Sequence, residues 1–127
     1  MNGGDTFYLR GPESLSPHLW VIVSDPHQDC EKVVVVSMTT YRDGKDPACR
    51  LAPGDHPNID HDTCMHYPKP QLLTCAKIEK AAEIGALEWQ EPVNQMVLER
   101  IRKGAVESRF IPIKFLQILL DQDLGDP

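Results

Sequence analysis

No apolar stretch of this chain approaches the roughly 18 residues that a membrane-spanning helix needs, so no membrane partner is expected. Basic residues are also in short supply. Thirteen Lys and Arg against nineteen Asp and Glu leave a net charge of −6. Such a surface does not draw nucleic acid by its overall field, so any RNA or DNA contact needs a local basic patch. Met1-Asn2-Gly3-Gly4-Asp5 shows no basic region leading into an apolar run, which argues against a signal peptide. A cytoplasmic location is expected from this, and with it four reduced cysteines. Cys30, Cys49, Cys64 and Cys75 form no CxxC pair, so they read as small buried hydrophobes. Gly-x-Ser-x-Gly, Walker, Gly-x-Gly-x-x-Gly and His-Glu-x-x-His patterns are missing, which weakens the hydrolase, nucleotide-loop and zincin classes. Internal repeats and low-complexity segments are missing too.

What is present suits one domain over residues 1–127, large enough for a core without staples. Apolar content of 41% and charge of 25% are ordinary for a globular protein. Eleven prolines, most of them in connections, argue for short elements joined by fixed turns. The centre of the chain is a pair of β-rich apolar runs over 19–24 and 32–40, joined by His27-Gln28-Asp29-Cys30. Val, Ile, Trp and Thr fit a pleated surface, and the polar link permits a reversal, so an antiparallel hairpin from His18 to Tyr41 is expected. Its ends carry the polar groups: His18, Asp25 and His27 on one strand, and Ser37, Thr39 and Thr40 on the other. The pair reads as the floor of a small β-barrel with function at its rim.

Around it, Thr6-Phe7-Tyr8-Leu9 is a strand candidate, and residues 11–17 form a loop bounded by two prolines. Residues 42–55 are turn-rich, with Asp43-Gly44, Asp46-Pro47 and Pro53-Gly54. Thr63, Met65 and Tyr67 alternate with Asp62, Cys64 and His66 as in a strand. Residues 72–78 fit strand or helix on pattern, and Pro70 with the preceding β region tips the reading to strand. Residues 79–90 are ambiguous. A helix is expected from Pro92 at its first turn, with Val93, Met96, Val97 and Ile101 inward and Gly104 as its stop. A second is expected from near Pro112 to Asp121, with Ile113, Leu116, Leu119 and Leu120 as its apolar stripe and Ile118 widening it. The layout is a β-rich part over about 4–80 followed by two helices over about 92–121.

Three groups of residues can carry chemistry. His56, His61, Cys64 and His66 are metal-ligand types in one short segment, but their spacing fits no common zinc module. They read either as a polar rim or as a source of one general acid or base. Ser37, Thr39 and Thr40 are ordinary strand-end hydroxyls that can also hold a phosphate. Lys77 and Glu79 share a face if their segment is a strand, where a cation keeps the carboxylate ionised and able to act as a base.

The order of these features resembles the PemK/MazF-like toxins of bacterial toxin–antitoxin systems. Gly4-Asp5 leads a first strand. His18-Leu19-Trp20-Val21-Ile22-Val23-Ser24 stands where the family has Arg-Pro-Val-Leu-Val-Val-Ser. The strand from Val33 ends in Thr39-Thr40, where the family has Val-Val-x-Pro-Leu-Thr-Ser. Ala76-Lys77-Ile78-Glu79 stands where it has Arg-Thr-Ile-Asp. The likeness covers residues 4–104 as a sparse pattern. It implies a mainly β fold with C-terminal helices, an SH3-like small β-barrel, and a homodimer with a cognate antitoxin as partner. It also implies a metal-independent endoribonuclease that cleaves single-stranded RNA and uses no cofactor. By position, Thr39 and Thr40 would hold the phosphate, Glu79 would be the base, and His18 would replace the strand-entry arginine as acid or donor. Lys77, His56, His61 and His66 would contact RNA. The family's second arginine aligns with Ala76, so its cationic stabilisers are absent from their usual places. Two other readings accompany this one: a non-catalytic SH3-like barrel acting as a protein-interaction module, and a metal-binding module using residues 56–66.

Overall fold

The computed structural model of the protein describes residues 1–10 and 18–125. The proline-bounded loop expected over 11–17 lies outside the described residues. In chain order the elements are β1 (Thr6–Leu9), β2 (Leu19–Ile22), β3 (Val33–Thr40), β4 (Arg50–Leu51), β5 (Thr63–Met65), β6 (Gln71–Leu73), α1 (Cys75–Glu83), β7 (Leu87–Gln90), α2 (Gln95–Glu107) and α3 (Ile113–Asp121).

The expected hairpin is the middle of the sheet. β2 and β3 pair antiparallel, with Trp20 opposite Ser37, Val21 opposite Val36 and Ile22 opposite Val35. Asp25 and Asp29 shape the link between them. The Asp25 carboxylate accepts from the His27 amide at 2.9 Å, and that of Asp29 accepts from the Glu31 amide at 2.9 Å. Short polar side chains that bond their own backbone in this way stabilise a reversal. The seven strands of the described residues run β4-β5-β3-β2-β1-β7, and β6 also pairs with β3. All the pairings are antiparallel.

β3 reads as an unbroken apolar run because both of its faces are covered. Val34, Val36 and Met38 point into a core with Leu19, Val21, Tyr67 and the α2–α3 residues Val97, Leu98, Ile101, Phe115 and Leu119. Val33 and Val35 point the other way, against Phe7, Ile22, Leu87 and the α1 residues Cys75 and Ile78. Alternation along a strand sends successive side chains to opposite faces, so a strand between two helical layers needs apolar residues at every position. The run turns polar at Thr39 and Thr40, which are only half-buried.

Several expectations need correction. Residues 72–78 are not one strand: β6 stops at Leu73, and Thr74 caps a helix by accepting from the Lys77 amide at 3.1 Å. A threonine in front of Cys75 and Ile78, three apart on one helical face, outweighs the nearby Pro70. Helix α1 ends where Gly85 takes a positive φ of 79°, a conformation that favours glycine. A further strand, β7, follows it and pairs with β1, so the β part does not end near residue 80.

Helix α2 starts at Gln95, not at Pro92, because the Asn94 side chain accepts from the Val97 amide at 2.9 Å and caps it there. Met96 is exposed rather than inward. Gly104 is not a stop. It is buried inside α2, where a Cβ would lie 2.5 Å from the Tyr67 hydroxyl and 2.7 Å from the Cys49 Cβ. In α3 the buried residues are Phe115 and Leu119, while Ile113 is 79% exposed.

The cysteines divide. Cys49 and Cys64 are buried free thiols, as expected, and burial pushes that of Cys49 up to about 11. Cys30 and Cys75 are not reduced but form a disulfide, with Cα atoms 5.1 Å apart. The Cys75 amide also donates to the Cys30 carbonyl at 2.8 Å. The β2–β3 link is thereby tied to the first residue of α1, a proximity that only strand pairing creates.

Candidate active site

The polar ends of β2 and β3 meet at one end of the central strands. Carrying the β2–β3 register two residues past Trp20 and Ser37 sets His18 beside Thr39. The His18 Nδ1 lies 3.0 Å from the Met38 carbonyl oxygen, an acceptor, so Nδ1 carries the proton and Nε2 faces away from the strand. On the other side of β3, β5 pairs Thr39 with Cys64 and Thr40 with Thr63. The His66 amide donates to the Ser37 carbonyl at 2.8 Å and holds His66 next to this end.

Two hollows open here, and His18 and Thr39 border both. The first, of about 190 Å³, is lined by Tyr8, Leu19, Met38, Thr40, Ile59 and His61 among others. The second, of about 320 Å³, is lined by Trp20, Ser37, Lys45, His66, Lys69 and Gln71. The division follows strand alternation: Met38 and Thr40 face the first, Ser37 the second.

The second hollow is cationic. His66 is held below the ordinary histidine value, first by burial and then by the positive charges of Lys45, Lys69 and His18. A hollow lined by Lys45, Lys69, His18 and His66 is suited to an anion, which would offset their charges. In the first hollow the Thr40 hydroxyl lies 2.9 Å from the His61 Nε2, and the His61 Nδ1 lies 2.6 Å from an Asp60 carboxylate oxygen.

The structure therefore brings together His18, Thr39, Thr40, His61 and His66. The other three candidates lie apart. His56 is buried, with its Nε2 against the Glu91 carbonyl and its Nδ1 accepting from the Asn58 amide at 3.0 Å. Both ring nitrogens are used in holding the 56–58 turn against the end of β7. Lys77 and Glu79 are exposed on α1 and line neither hollow. On a helix, residues two apart do not share a face, so the lysine–glutamate pairing expected of a strand is lost. The metal-ligand reading of residues 56–66 loses its sphere as well. No group of three or more His, Cys, Asp or Glu among the described residues is arranged to hold a metal ion.

Lys45, Lys69 and Asp60 are the rim residues that the sequence did not disclose. Lys45 follows the Asp43-Gly44 turn, and Lys69 sits between Pro68 and Pro70. Two basic residues in turns, one between β3 and β4 and one between β5 and β6, are the available signal, but turns carry no periodicity that would aim them.

Comparison with known proteins bears on the fold. An endoribonuclease solved in complex with its cognate antitoxin, from a mycobacterial species, matches this chain with a TM-score of 0.56. The two are 16% identical over 88% of this chain and 97% of that one. No protein-family model matches the chain, and no curated protein matches it in sequence. The shared feature is the fold: an antiparallel sheet closed by C-terminal helices, as the resemblance to PemK/MazF-like toxins implies.

Proposed function

We propose that this chain is the toxin of a toxin–antitoxin pair, a metal-independent endoribonuclease acting on single-stranded RNA. The observation that carries the reading is the placing of His18 and Thr39 between two hollows, one of them rimmed by Lys45, Lys69 and His66. RNA cleavage by the adjacent 2′-hydroxyl needs a proton acceptor, a proton donor and positive or hydrogen-bonding groups for the phosphate charge. Imidazoles supply the first two. The hydroxyls of Thr39 and Thr40 and the ammonium groups of Lys45 and Lys69 supply the third. These lysines take the place of the family's arginines from different positions in the chain, and the local patch they form answers the objection raised by a net charge of −6.

In this reading the reacting phosphate sits at Thr39 and Thr40 with its charge offset by Lys45 and Lys69, His18 protonates the leaving oxygen, and His66 faces a flanking phosphate. Glu79, Lys77 and His56 have no part. The sheet is read as an SH3-like barrel in one domain. The chain works as a homodimer, is neutralised by a cognate antitoxin, and meets its RNA in the cytoplasm, where reducing conditions would open the Cys30–Cys75 bridge. The fold shared with an endoribonuclease solved with its antitoxin supports the class.

The test is incubation of the purified protein with mixed single-stranded RNA in EDTA, beside a His18→Ala, Thr39→Ala double variant. Cleavage by the wild type alone, leaving 2′,3′-cyclic phosphate ends, is expected. Wild-type protein that neither cuts nor binds RNA would overturn the reading and favour a protein-interaction module.

A further inference from the structure

A chain of three side chains links the turn entering β5 to the end of β3, and two of them, Asp60 and His61, have no assigned role in the cleavage. Asp60 is ionised: hydrogen bonding and charge from His61 hold its carboxyl below the usual range. An ionised carboxylate only accepts, so the His61 Nδ1 at 2.6 Å must carry the proton. In the neutral ring Nε2 then has the lone pair, and the Thr40 hydroxyl at 2.9 Å donates to it. The backbone at this point is also fixed, because the Thr63 hydroxyl donates to the His61 carbonyl at 2.9 Å. Asp62, the next carboxylate along, is engaged elsewhere, in an ion pair with Arg50.

The result is a lone pair held in one orientation at the wall of the first hollow, currently occupied by the hydroxyl of a phosphate-binding threonine. His18, at the border of the same hollow, has the opposite character. Its Nδ1 donates to a neutral carbonyl rather than to a carboxylate. Protonated at both nitrogens, it keeps that bond and presents an Nε2–H as donor. Two imidazoles with different partners, one set to accept and one able to donate, are what an in-line transesterification requires.

We propose that His61 is the general base of RNA cleavage and that Asp60 is its positioning residue. This rests on the endoribonuclease reading and adds to it the identity of the proton acceptor. A ribose 2′-hydroxyl entering the hollow takes the place of the Thr40 hydroxyl on His61 Nε2. Its proton passes to Nε2 as the bond from O2′ to phosphorus forms. The bond from phosphorus to O5′ breaks, and O5′ takes a proton from His18. The products are a 2′,3′-cyclic phosphate and a free 5′-hydroxyl, with one proton gained by His61 and one lost by His18. Thr40, released from His61, is free to donate to the phosphate.

The deciding experiment compares an RNA cut by the wild type with the same RNA carrying sulfur in place of O5′ at the mapped cut. A thiolate leaves without protonation, so a missing acid is rescued and a missing base is not. His61→Ala is expected to lose about 100-fold or more in kcat, the usual worth of a positioned base, on both substrates. His18→Ala is expected to lose activity on ordinary RNA and regain it on the sulfur substrate. Asp60→Asn should lower kcat with KM unchanged, and Asp60→Glu should restore part of the loss. Asp60 and His61 are both exposed, so these variants should keep the wild-type melting temperature. A His61→Ala variant as active as wild type, or one rescued by sulfur, would overturn the assignment while leaving the endoribonuclease reading intact. A wild type unable to cut any RNA would overturn both. Independently of RNA, ¹⁵N spectra should show the His61 proton on Nδ1 and lose that preference in Asp60→Asn. Unchanged ring nitrogens in that variant would overturn the positioning role.

Discussion

The hydroxyl of Tyr67, on a side chain with no solvent exposure, donates to the Ile101 carbonyl oxygen of α2 at 2.6 Å. Burial, and then the neighbouring Cys49 thiol, raises this hydroxyl well above the ordinary tyrosine value, so it stays a donor at any physiological pH. The contact joins the segment after β5 to α2, and it is possible only because Gly104 has no side chain at the same spot. Gly104→Ala should therefore destabilise the protein even though alanine favours helix. The helix gain is about 1 kcal/mol, whereas forcing a methyl group into a packed core costs about 1–3 kcal/mol. Displacement of Tyr67 would add the loss of a buried hydrogen bond, about 1 kcal/mol. Thermal unfolding should show a lower Tm. An unchanged or raised Tm would mean that the α2–Tyr67 contact is looser than described.

The Cys30–Cys75 bridge closes a loop with a sequence separation of 45. Loop-closure entropy for that length gives about 4 kcal/mol at most, with 2–4 kcal/mol typical of measured bridges. Cys30→Ser and Cys75→Ser should each lower stability by a similar amount, and reductant should do the same to the wild type and nothing to the variants. Denaturant midpoints with and without reductant read this directly. Equal midpoints for the wild type in both conditions would show that the bridge contributes nothing to stability.

Lys45 and Lys69 should act through phosphate alone. For single strands the log of the binding constant falls with log salt by roughly 0.7 for each phosphate neutralised. A Lys45→Ala, Lys69→Ala double variant should therefore flatten the salt dependence by roughly 1.4 in slope, as well as weaken binding. A DNA oligonucleotide, which lacks the attacking hydroxyl, permits the measurement without cleavage. An unchanged slope would place the nucleic acid elsewhere.

His66 provides a pH readout of the same hollow. In the free protein burial and the charges of Lys45, Lys69 and His18 lower its affinity for a proton. A bound phosphate offsets those charges and raises it. The complex then holds more protons than its parts, so oligonucleotide affinity should increase as the pH falls through the histidine range. NMR titration of the His66 ring with and without a DNA oligonucleotide should show the upward move. A ring that titrates identically in both states would separate His66 from the anion site.

Much of the sheet was legible because β3 and its neighbours carry patterns of short range. Alternation at Thr63, Met65 and Tyr67, the Asp25–Asp29 link and the aliphatic run from Val33 each declare a strand or a turn without reference to distant residues. The helix at Cys75 was open to reading from Thr74 and the Cys75–Ile78 spacing, yet seven residues fit either period, and the proline nearby pulled the choice the wrong way. Gly104 shows the limit from the other side. A glycine late in a helix has the same local signature whether it ends the helix or admits a tyrosine.

At the rim, the sequence by itself determined which residue types end β2 and β3, and so named His18, Thr39 and Thr40. Those residues follow from pairing two adjacent runs, and a hairpin register needs no knowledge of the rest. Tertiary structure decided everything that depends on long-range placement. It sent His56 into the interior, where both ring nitrogens are bonded, and put Lys77 and Glu79 on a helix that lines neither hollow. It joined Cys30 to Cys75 at the neighbouring ends of β3 and β6. It brought Lys45 and Lys69 from separate turns to one hollow, and set His61, with its chain neighbour Asp60, against Thr40. Periodicity records which face of an element is buried. It carries no term for which turn comes to rest beside which strand end, and this rim is built from turns.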